Sequence, residues 1–162
     1  MMFRRGALQF VQKPLYAPQK KKFGDPSIAV AVLGLSPNYF NTDFKTLGFL
    51  FESLCIRDLK IYSSALGGKI SHCHDKYGLE ADCVLHLNNG KYALIEFKLG
   101  SNGINEGANH LCEIERLITK YNKTEKLCPL RLPDLKMIIT GTTYGYTRKD
   151  GVLVIPIGCL KD

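Results

Sequence analysis

Hydrophobic positions recur along the chain with two periods, and the switches between them divide it into elements. Over residues 44–59 the stripe Leu47, Leu50, Phe51, Leu54, Cys55 has the 3.6-residue spacing of an amphipathic helix, and Asn41-Thr42-Asp43 offers caps for its start. Glu52 lies beside that stripe, away from the fully wet face. A shorter helix is predicted upstream, with Asp25 as N-cap, Pro26 at the first helical position and Gly34 as its end. A third helix, residues 104–121, places Leu111, Ile114, Leu117 and Ile118 on one side. Strands are predicted at residues 69–74, twice within 80–99, at 135–140 and at 152–157. The resulting expectation is an α/β domain, residues 25–162, whose central order is helix, three strands, helix, strand. Residues 1–24 form a basic arm with a strand at 8–11, broken by Pro14 and Pro18.

The stretch from Glu80 to Leu99 is the most informative. Glycine at Gly90 suits the left-handed position that closes a three-residue hairpin loop, Asn88-Asn89-Gly90. Leu87 then pairs with Lys91, which sets Asp82 opposite Glu96 and Glu80 opposite Lys98. Side chains alternate across a strand, so these four share one face. The other face carries Ala81, Cys83, Leu85, Leu87, Ala93, Ile95 and Phe97, and is expected to be core. A two-residue turn at Asn89-Gly90 would slip the register and separate Asp82 from Glu96. Turn geometry decides, and it favours the longer loop.

Carboxylates directly opposite on a sheet repel unless a cation or a proton resolves them. A hard divalent ion prefers such oxygens. Lys98, two residues on and on the same face, is placed to neutralise a phosphate or orient a water. Glu-x-Lys at the end of a buried strand therefore suits metal-assisted phosphodiester hydrolysis. The same spacing also serves an ordinary salt-bridge ladder on a solvated face.

Composition narrows the classes. The 162 residues carry a formal charge of +7, from 22 Lys and Arg against 15 Asp and Glu, which favours polyanionic partners such as nucleic acid. The run Lys20-Lys21-Lys22 belongs to that balance. Six cysteines without a CxxC pair sit mostly in apolar stretches, as reduced thiols do. The start lacks the apolar segment of a signal peptide, and the longest apolar run, residues 28–35, is too short to cross a bilayer. A cytoplasmic protein without membrane contact is expected.

Several segments together resemble a known family. They are Phe23-Gly24-Asp25-Pro26-Ser27-Ile28-Ala29, Leu47-Gly48-Phe49-Leu50-Phe51-Glu52-Ser53-Leu54, Arg57-Asp58-Leu59, Leu79-Glu80-Ala81-Asp82-Cys83-Val84-Leu85 and Leu94-Ile95-Glu96-Phe97-Lys98-Leu99-Gly100. This combination resembles the DUF4143 domain, usually the C-terminal part of AAA+ (P-loop) ATPases. That domain is similar to the PD-(D/E)XK nuclease superfamily. The resemblance implies a restriction-endonuclease-like αβββαβ core with a mixed central sheet flanked by helices, to which the basic arm of residues 1–24 adds a short N-terminal extension. It implies a catalytic set of Glu52, Asp82, Glu96 and Lys98. Mg²⁺ or Mn²⁺ would be held by Glu52, Asp82, Glu96 and the Phe97 carbonyl. The expected function is that of a metal-dependent, nuclease-like domain, a possible Mg²⁺-dependent endonuclease, that binds or hydrolyses DNA. The alternative is a non-catalytic interaction module of an ATPase system, with a separate ATPase or another protein as partner. Ala81 stands where the superfamily's proline would precede Asp82, and no GxxxxGK[ST] occurs, so ATP hydrolysis by this chain is not expected.

Among the remaining features, His72 and His74 share a strand face but have no second ligand pair at zinc spacing. Glu113 and Glu115 are expected to be exposed helix carboxylates. Tyr144, Tyr146, Arg148 and Lys149 form a basic aromatic loop, either a hairpin tip or a surface that stacks on nucleic acid.

Overall fold

The computed structural model describes residues 25–74, 80–124 and 127–160, without the side chains of His72, Cys73, His74 and Glu80. The basic arm with its strand at 8–11, the His72/His74 pair and the Glu80 side chain therefore lie outside the described residues.

Helix α1 (Pro26–Leu33) starts and stops where its caps direct. The Asp25 carboxylate accepts the Ser27 N–H, and Gly34 ends the helix at φ 63°. Helix α2 (Phe44–Ser64) is capped by Asp43, which accepts the Thr46 N–H. It runs five residues beyond the predicted end, because the buried stripe Phe51, Cys55, Ile56, Leu59 continues to Ser63. A small buried hydroxyl extends the stripe there, and a period counted in apolar residues does not register it. The chain then turns at Gly67 (φ 67°) and Gly68; a Cβ at Gly68 would lie 2.5 Å from the Ser63 Cβ.

Three strands follow: β1 (Lys69–His74), β2 (Glu80–His86) and β3 (Tyr92–Lys98). A 3-10 turn over Ser101–Gly103 leads into α3 (Ile104–Thr124), and then come β4 (Leu135–Thr140), β5 (Tyr146–Thr147) and β6 (Leu153–Pro156). The six strands form one mixed sheet in the order β1-β2-β3-β4-β6-β5. β1, β2 and β3 are antiparallel neighbours, β3, β4 and β6 run parallel, and β5 returns antiparallel on β6. β5 was not among the predicted strands. Its residues are the tyrosine-containing loop, which is one side of a hairpin.

The sheet lies between two helical layers. α2 covers one face, where Phe51, Cys55, Ile56 and Leu59 meet Cys83, Ile95, Phe97 and Ile139. α3 covers the other, where Ala108, Leu111, Ile114 and Ile118 meet Val84, Leu94, Ile138 and Val154. Fully buried Ile95, Leu111, Ile138 and Ile139 each contribute about 1.5–3 kcal/mol of transfer free energy. This corrects the expectation of one core face and one open polar face. Val84, Tyr92 and Leu94 alternate with the acids and make most of the acidic face core as well, leaving only its Asp82–Lys98 end polar. Among the described residues no helix is long and apolar enough to cross a membrane.

The link from α3 to β4 is held by side chains that substitute for regular backbone pairing. Asn122 bonds both the N–H and the carbonyl of Leu130, each at 2.7 Å. The Tyr92 hydroxyl donates to the Arg131 carbonyl, and Asp134 accepts the Tyr92 N–H. Past β4, Gly141 brings the backbone against the end of β3, since a Cβ there would sit 2.7 Å from the Leu99 carbonyl oxygen. Gly141→Ala forces backbone, rather than a flexible side chain, to move. Chemical denaturation is expected to show a loss of about 1–3 kcal/mol.

Candidate functional site

The hairpin that presents the acids is built by its turn. Gly90 adopts φ 80°, its N–H donates to the Leu87 carbonyl at 3.0 Å, and the Leu87 N–H donates to the Lys91 carbonyl at 2.8 Å. The three-residue loop is thus the one formed. Pairing runs His86–Tyr92, Leu85–Ala93, Val84–Leu94 and Cys83–Ile95. One step further along the same register, Asp82 faces Glu96.

At that step the ladder changes. Regular continuation would send the Phe97 N–H to the Ala81 carbonyl; instead it donates to Asp82 Oδ2 at 2.8 Å. Ala81 is paired with Cys73 on β1, just beyond an irregularity in that ladder. A side chain thus substitutes for a backbone partner where β2 and β3 cease to pair, and one Asp82 oxygen is fixed against β3.

Glu96 is only 3% exposed. Its Oε2 accepts from Lys98 Nζ at 2.8 Å, and its carboxyl also meets that of Asp82. Burial, then the Asp82 charge, push its pKa up to about 7, while Lys98 pulls it back by hydrogen bond and charge. Lys98 has 23% of its side chain exposed. Burial works against its charge, but the Glu96 hydrogen bond and the negative fields of Glu96, Asp82 and Glu106 outweigh it and hold its pKa above the ordinary value. Replacing Lys98 by Met removes the influence that lowers Glu96. The Glu96 carboxyl resonance is expected to titrate above wild type in an NMR pH series.

Room for this cluster comes from the start of α3. A Cβ at Gly107 would lie 3.0 Å from Lys98 Cε and 3.5 Å from Glu96 Cβ, and one at Gly103 would lie 3.0 Å from Lys98 Cδ. Two glycines one helical turn apart thus form the channel in which the lysine stem runs. Next to it, Phe97–Gly103 line an open depression of about 330 Å³.

Asp82, Glu96 and Lys98 are therefore brought together, with Phe97 between the last two. Glu52 belongs to α2. Its charge and that of Asp82 both act on the buried Cys55 thiol, which burial first, then Asp58, Glu52 and Asp82, push up to about 12. Among the described residues no three His, Cys, Asp or Glu side chains gather closely enough to hold an ion. Glu113 pairs with Arg116, and Glu115 with Lys136. Glu106, in the first turn of α3, is the additional acid whose field reaches Lys98. Its place after a turn glycine and one residue before Gly107 was the available sequence signal.

A family model described as a domain of unknown function, DUF4143, matches residues 47–160, more than half of the chain. The chain belongs to the DUF4143 family. The match takes in α2 apart from its first three residues, the whole sheet and α3, and so every residue of the site. No curated protein and no solved structure matches the chain. In this DUF4143 domain the chain leaves β4 at Gly141, beside Leu99, and the tyrosine loop that follows packs on β6 through Gly145 and Tyr146. Tyr144 is 80% exposed, whereas Arg148 is bound to Asp150 and to Asn105 on α3.

Proposed function

We propose that this DUF4143 domain is a metal-dependent, nuclease-like domain of the PD-(D/E)XK type that binds or hydrolyses DNA phosphodiesters. The observation that carries the reading is the contact between Asp82 and buried Glu96, with Lys98 bonded to the latter. The element order α2-β1-β2-β3-α3-β4, a helix, three strands, a helix and a strand in one mixed sheet, supports the reading of a restriction-endonuclease-like αβββαβ core.

The donor set fits a hard divalent ion, Mg²⁺ or Mn²⁺. Two carboxylates in contact, one of them holding a proton near neutral pH, offer oxygen ligands whose mutual repulsion a cation relieves better than a proton does. Asp82, Glu96 and the Phe97 carbonyl would hold it, with Glu52 able to contribute from the α2 side. When bound, such an ion supplies an activated water and charge neutralisation on the phosphate. Glu96 gives up its proton, and Asp82 keeps its orientation through the Phe97 N–H. The Lys98 ammonium, channelled by Gly103 and Gly107, stabilises negative charge developing on the phosphate oxygens. The net charge of +7 favours the polyanion throughout.

Plasmid nicking with Mg²⁺ or Mn²⁺ tests the assignment: wild type is expected to cleave, and Asp82→Ala and Glu96→Ala to lose cleavage. Unchanged cleavage by both variants would refute it.

A second reading has its own observation. Ile28, Val32, Leu33, Phe44 and Phe49 on α1 and the start of α2 are exposed, Val32 at 73%. Large apolar side chains gathered outside the core suit a non-catalytic module that docks a protein, such as an AAA+ ATPase, onto DNA or another partner. This reading predicts no hydrolysis with either ion and partner binding that survives Asp82→Ala.

A further inference from the structure

Away from the acidic pair, α3 and β4 bring a second reactive group together. Lys136 pairs with Leu94 in the sheet and points toward α3. Its Nζ donates to the Cys112 sulfur at 3.6 Å and to the Glu115 carboxylate. Cys112 and Glu115 are three residues apart on the helix and so present one face to the strand. The Lys136 side chain is only 12% exposed, which confines its amine to this notch, and Cys112 is partly accessible. Arg148, on the hairpin bound to α3 through Asn105, adds a second cation whose field reaches the same sulfur.

The other described thiols differ from it. Cys55 and Cys83 are sealed in the core, and Cys128 and Cys159 are exposed. Cys112 is partly accessible and accepts a hydrogen bond from a lysine.

We propose that Cys112 and Lys136 form an oxidative modification site at which hydrogen peroxide joins the two side chains through a sulfur–nitrogen bond, stapling α3 to β4. In the first step the Cys112 sulfur attacks peroxide and the O–O bond breaks. Sulfur is oxidised to the sulfenic acid, and one peroxide oxygen leaves as water. In the second, the Lys136 amine, its ammonium proton released to Glu115 or solvent, attacks that sulfur. The S–N bond forms, the S–O bond breaks, and hydroxide takes the remaining proton and departs as water. The sum is one thiol, one amine and one peroxide giving one sulfenamide and two waters. Two equivalents of an added thiol return the thiol and the amine and become a disulfide. The Nζ stands at the end of a flexible stem, so rotation closes the gap that the hydrogen bond now spans.

Peptide mass spectrometry of the full chain, treated with peroxide in mildly alkaline buffer and digested without reductant, tests the site. The expected product is a linked peptide pair containing Cys112 and Lys136, lighter by two hydrogens than the separate peptides and released by dithiothreitol. It is expected to be absent in Cys112→Ala and in Lys136→Arg, which keeps the cation beside Glu115. In Lys136→Arg, dimedone is expected to label the Cys112 sulfenic acid several-fold more than in wild type, because the capturing amine is gone. The wild-type digest alone decides the first point, whatever the variants do to folding. If wild type shows no linked pair, or dimedone labels Cys112 equally in both proteins, the Lys136 contact serves only to satisfy a confined ammonium and the proposal fails.

Discussion

In metal-free buffer at about pH 8, Glu96→Gln is expected to be more stable than wild type, and the advantage is expected to disappear near about pH 4. The cause is the fate of one proton. Burial and the Asp82 charge raise the Glu96 pKa from 4.5 to about 7 in the folded protein. Folded protein therefore holds a proton that the unfolded chain has already released. A raised carboxyl contributes its full stability below 4.5, and that contribution is lost as pH rises from 4.5 to about 7. At about 1.4 kcal/mol per unit, the loss is at most about 3–4 kcal/mol. Glutamine imitates the protonated form at every pH and so escapes it. Urea unfolding of both proteins across this window measures the difference. Parallel stability profiles would mean that Glu96 is not held as described. A divalent ion added at the alkaline end is expected to restore wild type while leaving the glutamine variant where it was.

The second large effect concerns chemistry. Lys98→Ala is expected to reduce DNA cleavage by about 10²–10³-fold, the usual consequence of removing one preorganised donor from a developing oxyanion. Its ammonium is fixed by the 2.8 Å bond to Glu96 and by the glycine channel, so little reorganisation is required when charge appears. Single-turnover kinetics separate this loss from weakened DNA binding. Loss of a surface lysine would alter affinity and its salt dependence and leave the cleavage step unchanged.

Much of this architecture was legible in residue patterns, for identifiable reasons. The short helix at Pro26–Leu33 and the strand at Leu135–Thr140 carry strong local signals, a cap and a β-branched buried run, and both form where predicted. The hairpin register followed from a single glycine, since only a residue at ease with positive φ closes that loop. Burial was less legible. Val84 and Leu94 sit among the acids in sequence, and only the packing of α3 shows that most of their face is core. The place of Glu52 is likewise a tertiary matter: helical periodicity puts it beside the stripe, but which layer α2 occupies depends on the whole sheet. Nothing in the residue pattern marks Gly103 and Gly107 for the site, because their value lies in the lysine stem they admit.

Asp82 and Glu96 are proposed to hold one divalent cation. Isothermal titration of the metal-free protein with Mn²⁺, in buffers of differing ionisation enthalpy, addresses it most directly. Wild type is expected to bind one ion and to release a proton from Glu96 near neutral pH, and Asp82→Asn and Glu96→Gln are each expected to abolish that heat. Equal binding by all three proteins, or binding without proton release, would contradict it.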